Sequence, residues 1–365
     1  MKVVFTLLTI FSILPSVHSF APSAFPAVVS SRASVAKIKK TVTSTASPFH
    51  PSIKIPRGGA NNFPSPTSSL SQSSTSLSSV TYAMSEAIGA VLTLVSSNLQ
   101  SGPFGVVALW GVTFSVVLPL TLYKKIYGIG VAYGFSVCAA GYAMLKILNP
   151  ASSGSAAATL LSQVCMFYGF RLGSYLIARD LIRNEESKVK NGTIMSRVIF
   201  SISLSLFYAL LVTPTLYACR NAPSSANLAL AGASIAWFGA ILEAIADYHK
   251  LLRKSSTKKM EKKDDSDEKG DTFVGPTTWT YRICRHPNYL GEILMWVGLY
   301  VGGIPSFGTS AIAWLCSTLG MFGIVSIMAK ATQGLEKRQS EKYSGQQLYD
   351  TYKQQVTSPL FPFVK

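Results

Sequence analysis

The chain has 365 residues, 48% of them hydrophobic and only 13% charged, about half the charged share of an ordinary water-soluble domain. Lys and Arg number 33 against 16 Asp and Glu, a formal charge of +17, yet the basic residues do not interleave with aromatics on a polar face, which argues against a nucleic-acid-binding protein. Cys138, Cys165, Cys219, Cys284 and Cys316 stand singly with no C-x-x-C, so they read as core residues, with neither a disulfide framework nor a metal site.

Residues 1–19 read as a signal peptide: Lys2, an apolar stretch from Val3 to Leu14, then Val17-His18-Ser19 before a cut. Residues 20–85 are rich in Ser, Thr, Pro and Ala and contain basic residues but no acid, the composition of an organelle transit peptide and one that cannot bury a core. A signal followed at once by Phe20-Ala21-Pro22 resembles the bipartite presequence of plastids acquired by secondary endosymbiosis; an endoplasmic-reticulum protein with a disordered linker is the alternative.

Residues 86–365 read as a transmembrane domain. Apolar stretches fall at about 104–123, 126–147, 156–182, 198–218, 227–248, 288–304 and 308–329, near the ~20 residues that a bilayer core demands. Seven spans in so short a chain leave too little polar surface for a soluble fold, so the expected class is an all-α polytopic membrane bundle of about seven helices. The loops after spans one, three, five and seven hold Lys124 and Lys125, the stretch 183–197, the charged loop 249–285 and the stretch from Lys330 onward, whereas the intervening loops hold only Arg220. This one-sided pattern gives the seven-span count its orientation, with the basic side facing a cytosol-like compartment.

The residues able to carry chemistry gather at that basic side. In span three, Arg171, Tyr175 and Arg179 recur every four residues, a positive stripe that must face the bundle interior, either pairing with Glu243 or Glu292 or lining a pocket for an anionic ligand. Glu243 and Asp247 share one face at the end of span five, suited to ribose or amide groups, and Arg253 and Lys254 follow them, suited to phosphates; a snorkelling helix end is the simpler reading of the same residues. In RHPNYLGE, Pro287 fits a helix start, Arg285 and His286 lie just outside it, and Asn288, Tyr289 and Glu292 are presented at the membrane boundary of span six. A carboxylate one turn inside an apolar span needs a partner, whether for function or to lock the bundle.

RHPNYLGEILMWVGLY, preceded by FRLGSYLIARDLIR and EAIADYHK and followed by Glu336-Lys337-Arg338 and YDTYKQQVTSPLFPF, resembles the C-terminal domain of the membrane family related to steroid 5-alpha-reductases, from about residue 160 to 365. The resemblance implies a membrane oxidoreductase that binds NADPH on the cytosol-like face and reduces a carbon-carbon double bond in a steroid, sterol or isoprenoid substrate. Carried onto this chain, its Asn-Tyr-x-Gly-Glu pattern falls on Asn288, Tyr289, Gly291 and Glu292, its span-five acid on Asp247 and its basic tail on Arg338; joined to the residue reading, this gives Glu243, Asp247, Arg253, Lys254, Arg285, His286, Asn288 and Arg338 as expected cofactor contacts and Tyr289 as the expected proton donor with Glu292 beside it. It implies no metal, and a hydrophobic substrate as partner. S-adenosylmethionine-dependent methyltransferases of isoprenylcysteine and phospholipid head groups share the Arg-His-Pro-x-Tyr core but resemble an apolar residue where Glu292 stands. The loop WTYRIC departs from the family's usual approach to the motif, and the substrate-polarising acid and tyrosine of true 5-alpha-reductases find no match. A non-catalytic lipid-binding protein is the third reading.

Overall fold

The computed structural model describes residues 69–150, 155–183, 192–261 and 273–361, all within one compact unit that begins at Thr67. The signal peptide at 1–19, most of the transit-like segment and the middle of the charged loop lie outside the described residues.

Among the described residues the fold is helical and without strands. In chain order the helices are α1 (Ser69–Gln100), α2 (Gly105–Tyr123), α3 (Lys125–Ile129), α4 (Val131–Ala143), α5 (Ala156–Arg183), α6 (Ile194–Arg220), α7 (Ala226–Glu261), α8 (Pro287–Gly303), α9 (Ala311–Tyr343) and α10 (Gln347–Gln355). A π-helical turn, Met144–Leu148, extends α4.

Among the described residues, five helical segments are long and apolar enough to cross a membrane: Gly105–Tyr123, Val131–Leu148, Ile194–Arg220, Ala226–Arg253 and Ala311–Tyr343. The other two expected spans fall on α5 and α8. The first carries Arg171, Arg179 and Asp180 within it, and the second has only 17 residues. Length and apolarity thus support five crossings, and the count of seven does not follow from them.

Two boundaries move and one stays. Helix α1 begins at Ser69, inside the segment 20–85 expected to be unstructured, because no proline interrupts the chain from 67 to 102. From Ser85 to Leu94 its residues are exposed; its end meets the bundle, where Leu99 is buried and the Arg220 guanidinium donates to the carbonyls of Asn98, Leu99 and Gly102. Helix α7 runs on to Glu261, so the charged loop opens as helix, its Lys-rich stretch continuing the turns of span five. Pro287 does start α8, where its missing N–H costs nothing.

Two seams of small residues hold the site's helices. Helix α8 packs along α7 more extensively than any other pair, with Gly232 and Gly239 facing Gly291, Gly298 and Gly302. A Cβ on Gly239 would lie 2.4 Å from the Met295 nitrogen and one on Gly298 2.3 Å from the Ala236 nitrogen, so the backbones touch where no side chain fits. Gly134 and Gly169 bring α4 against α5 in the same way.

Candidate functional site

The close α7–α8 seam determines where the acids lie. Glu243 follows Gly239 by one turn, Glu292 follows Gly291 directly, and a Cβ on Gly291 would sit 2.6 Å from the Glu243 backbone nitrogen. Glu243, Asp247 and Glu292 are all buried there. From the neighbouring helix α5, Arg171 reaches the first two: Nη2 lies 2.6 Å from Glu243 Oε1 and Nη1 lies 2.9 Å from Asp247 Oδ2, with the guanidinium over the Tyr168 ring. Of the positive stripe's two arginines, Arg171 alone pairs with these acids among the described residues, with Glu243 and Asp247 and not with Glu292, whereas Arg179 is exposed and does not face the bundle interior as expected.

Glu292 finds its partner elsewhere. Tyr133, from α4, donates from Oη to Glu292 Oε1 at 2.7 Å, and the same phenol oxygen accepts from Trp296 Nε1 at 2.9 Å and from Tyr168 Oη at 3.1 Å. The rings of Tyr133, Tyr168, Tyr208 and Trp296 pack around this oxygen. Three buried carboxylates thus share one guanidinium and one phenol. Glu243 Oε2 and Arg171 Nε are buried polar atoms without a hydrogen-bond partner among the described residues, an acceptor and a donor in a region where leaving either unfilled is costly.

A second cluster stands just before α8. Glu336, from α9, takes Arg285 on both oxygens, Nε at 3.0 and 3.1 Å and Nη2 at 2.7 Å, and lies 2.7 Å from His286 Nε2. Arg285 Nη1 donates to the carbonyls of Val356 and Thr357, and the backbone N–H groups of Arg285 and His286 donate to Ser358 and Pro359. The segment after α10 thus runs as a strap along the Arg-His pair, with Leu360 buried among Leu242, Cys284, Leu290 and Ile293. Burial pushes the Cys284 thiol up to about 11.

The remaining sequence candidates divide by exposure. Tyr289 is half-buried, its ring stacked on His286 at 5.8 Å, within the electrostatic reach of Glu292, Asp247, Arg338 and Arg179. Asn288 is half-buried beside it. Arg179 is exposed with its guanidinium over the Tyr175 ring, Arg253 is exposed on α7, and Arg338 is exposed with Nε on the Gly334 carbonyl. Lys254 lies on α7, with its side chain outside the described set. Sequence reading missed Tyr133, Tyr168, Trp296 and the partner role of Glu336. Only Glu336 had a visible signal, an acid at the head of a basic run.

A family model described as a protein of unknown function, DUF1295, matches residues 121–356. The chain belongs to this family. The DUF1295 match includes every side chain of both clusters, from Tyr133 to Glu336, and leaves out α1 and nearly all of α2. No curated protein and no solved structure matches the chain. Among the described residues of this DUF1295 protein, no group of His, Cys, Asp and Glu is arranged to hold a metal ion.

Proposed function

We propose that this membrane protein is an NADPH-dependent reductase of a carbon-carbon double bond in a lipid substrate of steroid, sterol or isoprenoid type. The observation that carries the reading is the buried acid cluster at the α7–α8 seam, in which Glu243 Oε2 has no donor among the described residues while its other oxygen is fixed by Arg171. A carboxamide N–H is the kind of donor that this oxygen suits, and the similarity of RHPNYLGE to the 5-alpha-reductase-related family supplies the choice of nicotinamide.

The residues fit such a cofactor in part. Glu243 and Glu292 would hold the amide end with Asn288 beside them, and Arg253, Lys254, Arg338 and Arg179 on the basic side suit phosphates. Arg285 and His286 act at one remove, since Glu336 and the strap occupy them and thereby fix the start of α8. Bound NADPH would supply a hydride to the electron-poor carbon. Tyr289, half-buried and three residues before Glu292, would give its phenol proton where negative charge develops, and a proton taken up from solvent would return to the phenolate with Glu292, oriented by Tyr133, as the relay.

Thermal shift of the purified protein in detergent, with NADPH against S-adenosylmethionine, tests the reading. Glu292→Gln is expected to weaken NADPH binding by ~2–4 kcal/mol. Tyr289→Phe is expected to leave binding nearly intact and to lower turnover. S-adenosylmethionine binding without NADPH binding would overturn the reductase. The proposal also assigns the protein to a plastid membrane from its first 85 residues. A fluorescent fusion of residues 1–85 retained in the endoplasmic reticulum of an alga with a secondary plastid would refute that address.

A further inference from the structure

Helix α1 lies outside both clusters and outside the DUF1295 match. From Ser85 to Gln100 its side chains divide into two faces. Ile88, Val91, Leu92, Val95 and Leu99 recur at i, i+3, i+4, i+7 and i+11, the spacing of a single helical stripe. Glu86, Gly89, Thr93, Ser97 and Gln100 fall on the opposite side of the helix. Along the apolar stripe, Ile88, Val91 and Leu92 are 51%, 58% and 51% exposed, whereas Leu99 is fully buried.

The contacts around Leu99 locate that end of the helix. Gln100 Nε2 donates to the Ile147 carbonyl in the turn that extends α4, and Arg220, the last residue of α6, donates to the carbonyls of Asn98, Leu99 and Gly102. A Cβ on Gly105, the first residue of α2, would lie 2.6 Å from Arg220 Nη1. Three helical segments able to cross a membrane therefore end around the last turn of α1. The other ends of α2 and α6 meet beside Lys124, where Arg197 Nη1 donates to the Leu122 carbonyl. The last turn of α1 thus marks the membrane boundary at the end of the bundle away from Lys124 and Lys125.

From that boundary the exposed stripe has two ways to go. A crossing helix would carry Glu86 about 21 Å below the boundary, into a hydrocarbon core ~30 Å thick, and would turn the Thr93 face towards lipid as well. A helix lying along the boundary buries Ile88, Val91, Leu92 and Val95 among acyl chains and keeps Glu86 and Thr93 in water. The apolar surface is continuous in that arrangement, because Leu99 carries the stripe onto the bundle and the exposed Phe104 and Val107 carry it onto the outer face of α2. Residues 85–100 hold one acid, Glu86, and no Lys, Arg or His, so the attachment rests on apolar burial and gains nothing from acidic lipid.

We infer that α1 is an interfacial helix seated on uncharged lipid, in the leaflet away from Lys124 and Lys125. The test places single spin labels, through Val91→Cys or Thr93→Cys, in the full chain with its native cysteines replaced, in phosphatidylcholine vesicles. Power saturation compares collisions with oxygen, which concentrates in lipid, and with a nickel chelate confined to water. The oxygen-to-nickel ratio at Val91 is expected to exceed that at Thr93 by about threefold or more. Added phosphatidylglycerol or salt should leave both ratios unchanged. The unmodified chain gives a second measurement that needs no substitution: carbene-forming phosphatidylcholine should leave adducts on Ile88, Val91 or Leu92 and none on Glu86 or Thr93.

Equal access of the nickel chelate to both labels would overturn the interfacial helix, as would oxygen enrichment at both, which marks a crossing helix. Dipolar broadening at Val91 that disappears on dilution with unlabelled protein would assign the stripe to a second copy instead. A requirement for phosphatidylglycerol, or the absence of adducts from residues 85–100, would equally sink it.

Discussion

Arg171 carries much of the site, because its guanidinium sits directly against both Glu243 and Asp247. Arg171→Met would leave two buried carboxylates facing each other, a loss of about 3–5 kcal/mol that should appear as a lower unfolding temperature in detergent. Adding Glu243→Gln and Asp247→Asn to that variant should recover much of the loss, since the uncompensated charge is then gone. A single variant as stable as the parent would show that the acids are not buried together. Cys284 offers a second residue-scale readout. With its thiol raised to about 11 by burial, maleimide labelling at pH 7.5 should be slow compared with an ordinary thiol. Between pH 9 and 11 the unfolded chain bears a thiolate at this position and the folded one does not, so folded stability should decline with rising pH across that window.

Helices position these residues through the spaces that glycine leaves. Gly291→Ala puts a methyl group 2.6 Å from the Glu243 nitrogen, and α8 must then move off α7. The expected cost is about 1–3 kcal/mol together with loss of the Glu292–Tyr133 hydrogen bond, readable as a drop in melting temperature and in NADPH affinity. Unchanged values for both would mean that the helices are not in backbone contact. The acids were legible in the sequence because charge inside an apolar span is conspicuous, and the four-residue spacing of Glu243 and Asp247 put both within reach of one guanidinium. Tyr133 and Trp296 were not legible, since an aromatic in an apolar helix looks the same whether it faces lipid or donates to a carboxylate 159 residues away. The extension of α7 to Glu261 was missed for another reason: lysine and glutamate are good helix formers, and net charge alone does not end a helix.

Across the whole molecule, the seven-span reading of the charge pattern predicts which loops share a side. Cysteines placed at Thr277 and Ser344, in a chain whose native cysteines are replaced, should label from the basic face, and cysteines at Ser224 and Thr309 from the opposite one. Labelling of Ser224 and Thr277 from the same side would break the alternation on which the orientation rests. With the alternation intact, the basic side is the face at which the proposed cofactor would arrive, with the apolar bundle beneath it meeting the proposed lipid substrate.

The strap has a consequence for how the protein is made. Arg285 donates to the Val356 carbonyl across 71 residues of sequence, and its carboxylate partner Glu336 is also synthesised later. At about 5–20 residues per second, roughly 4–14 s of translation separate the guanidinium from the carbonyl that receives it. Once Gly303 has been added, a nascent chain holds α7 and α8 complete while the Arg-His corner stays open until Glu336 and Val356 follow, so ribosome pausing after Gly303 would prolong a stage in which the bundle carries an unclaimed cation.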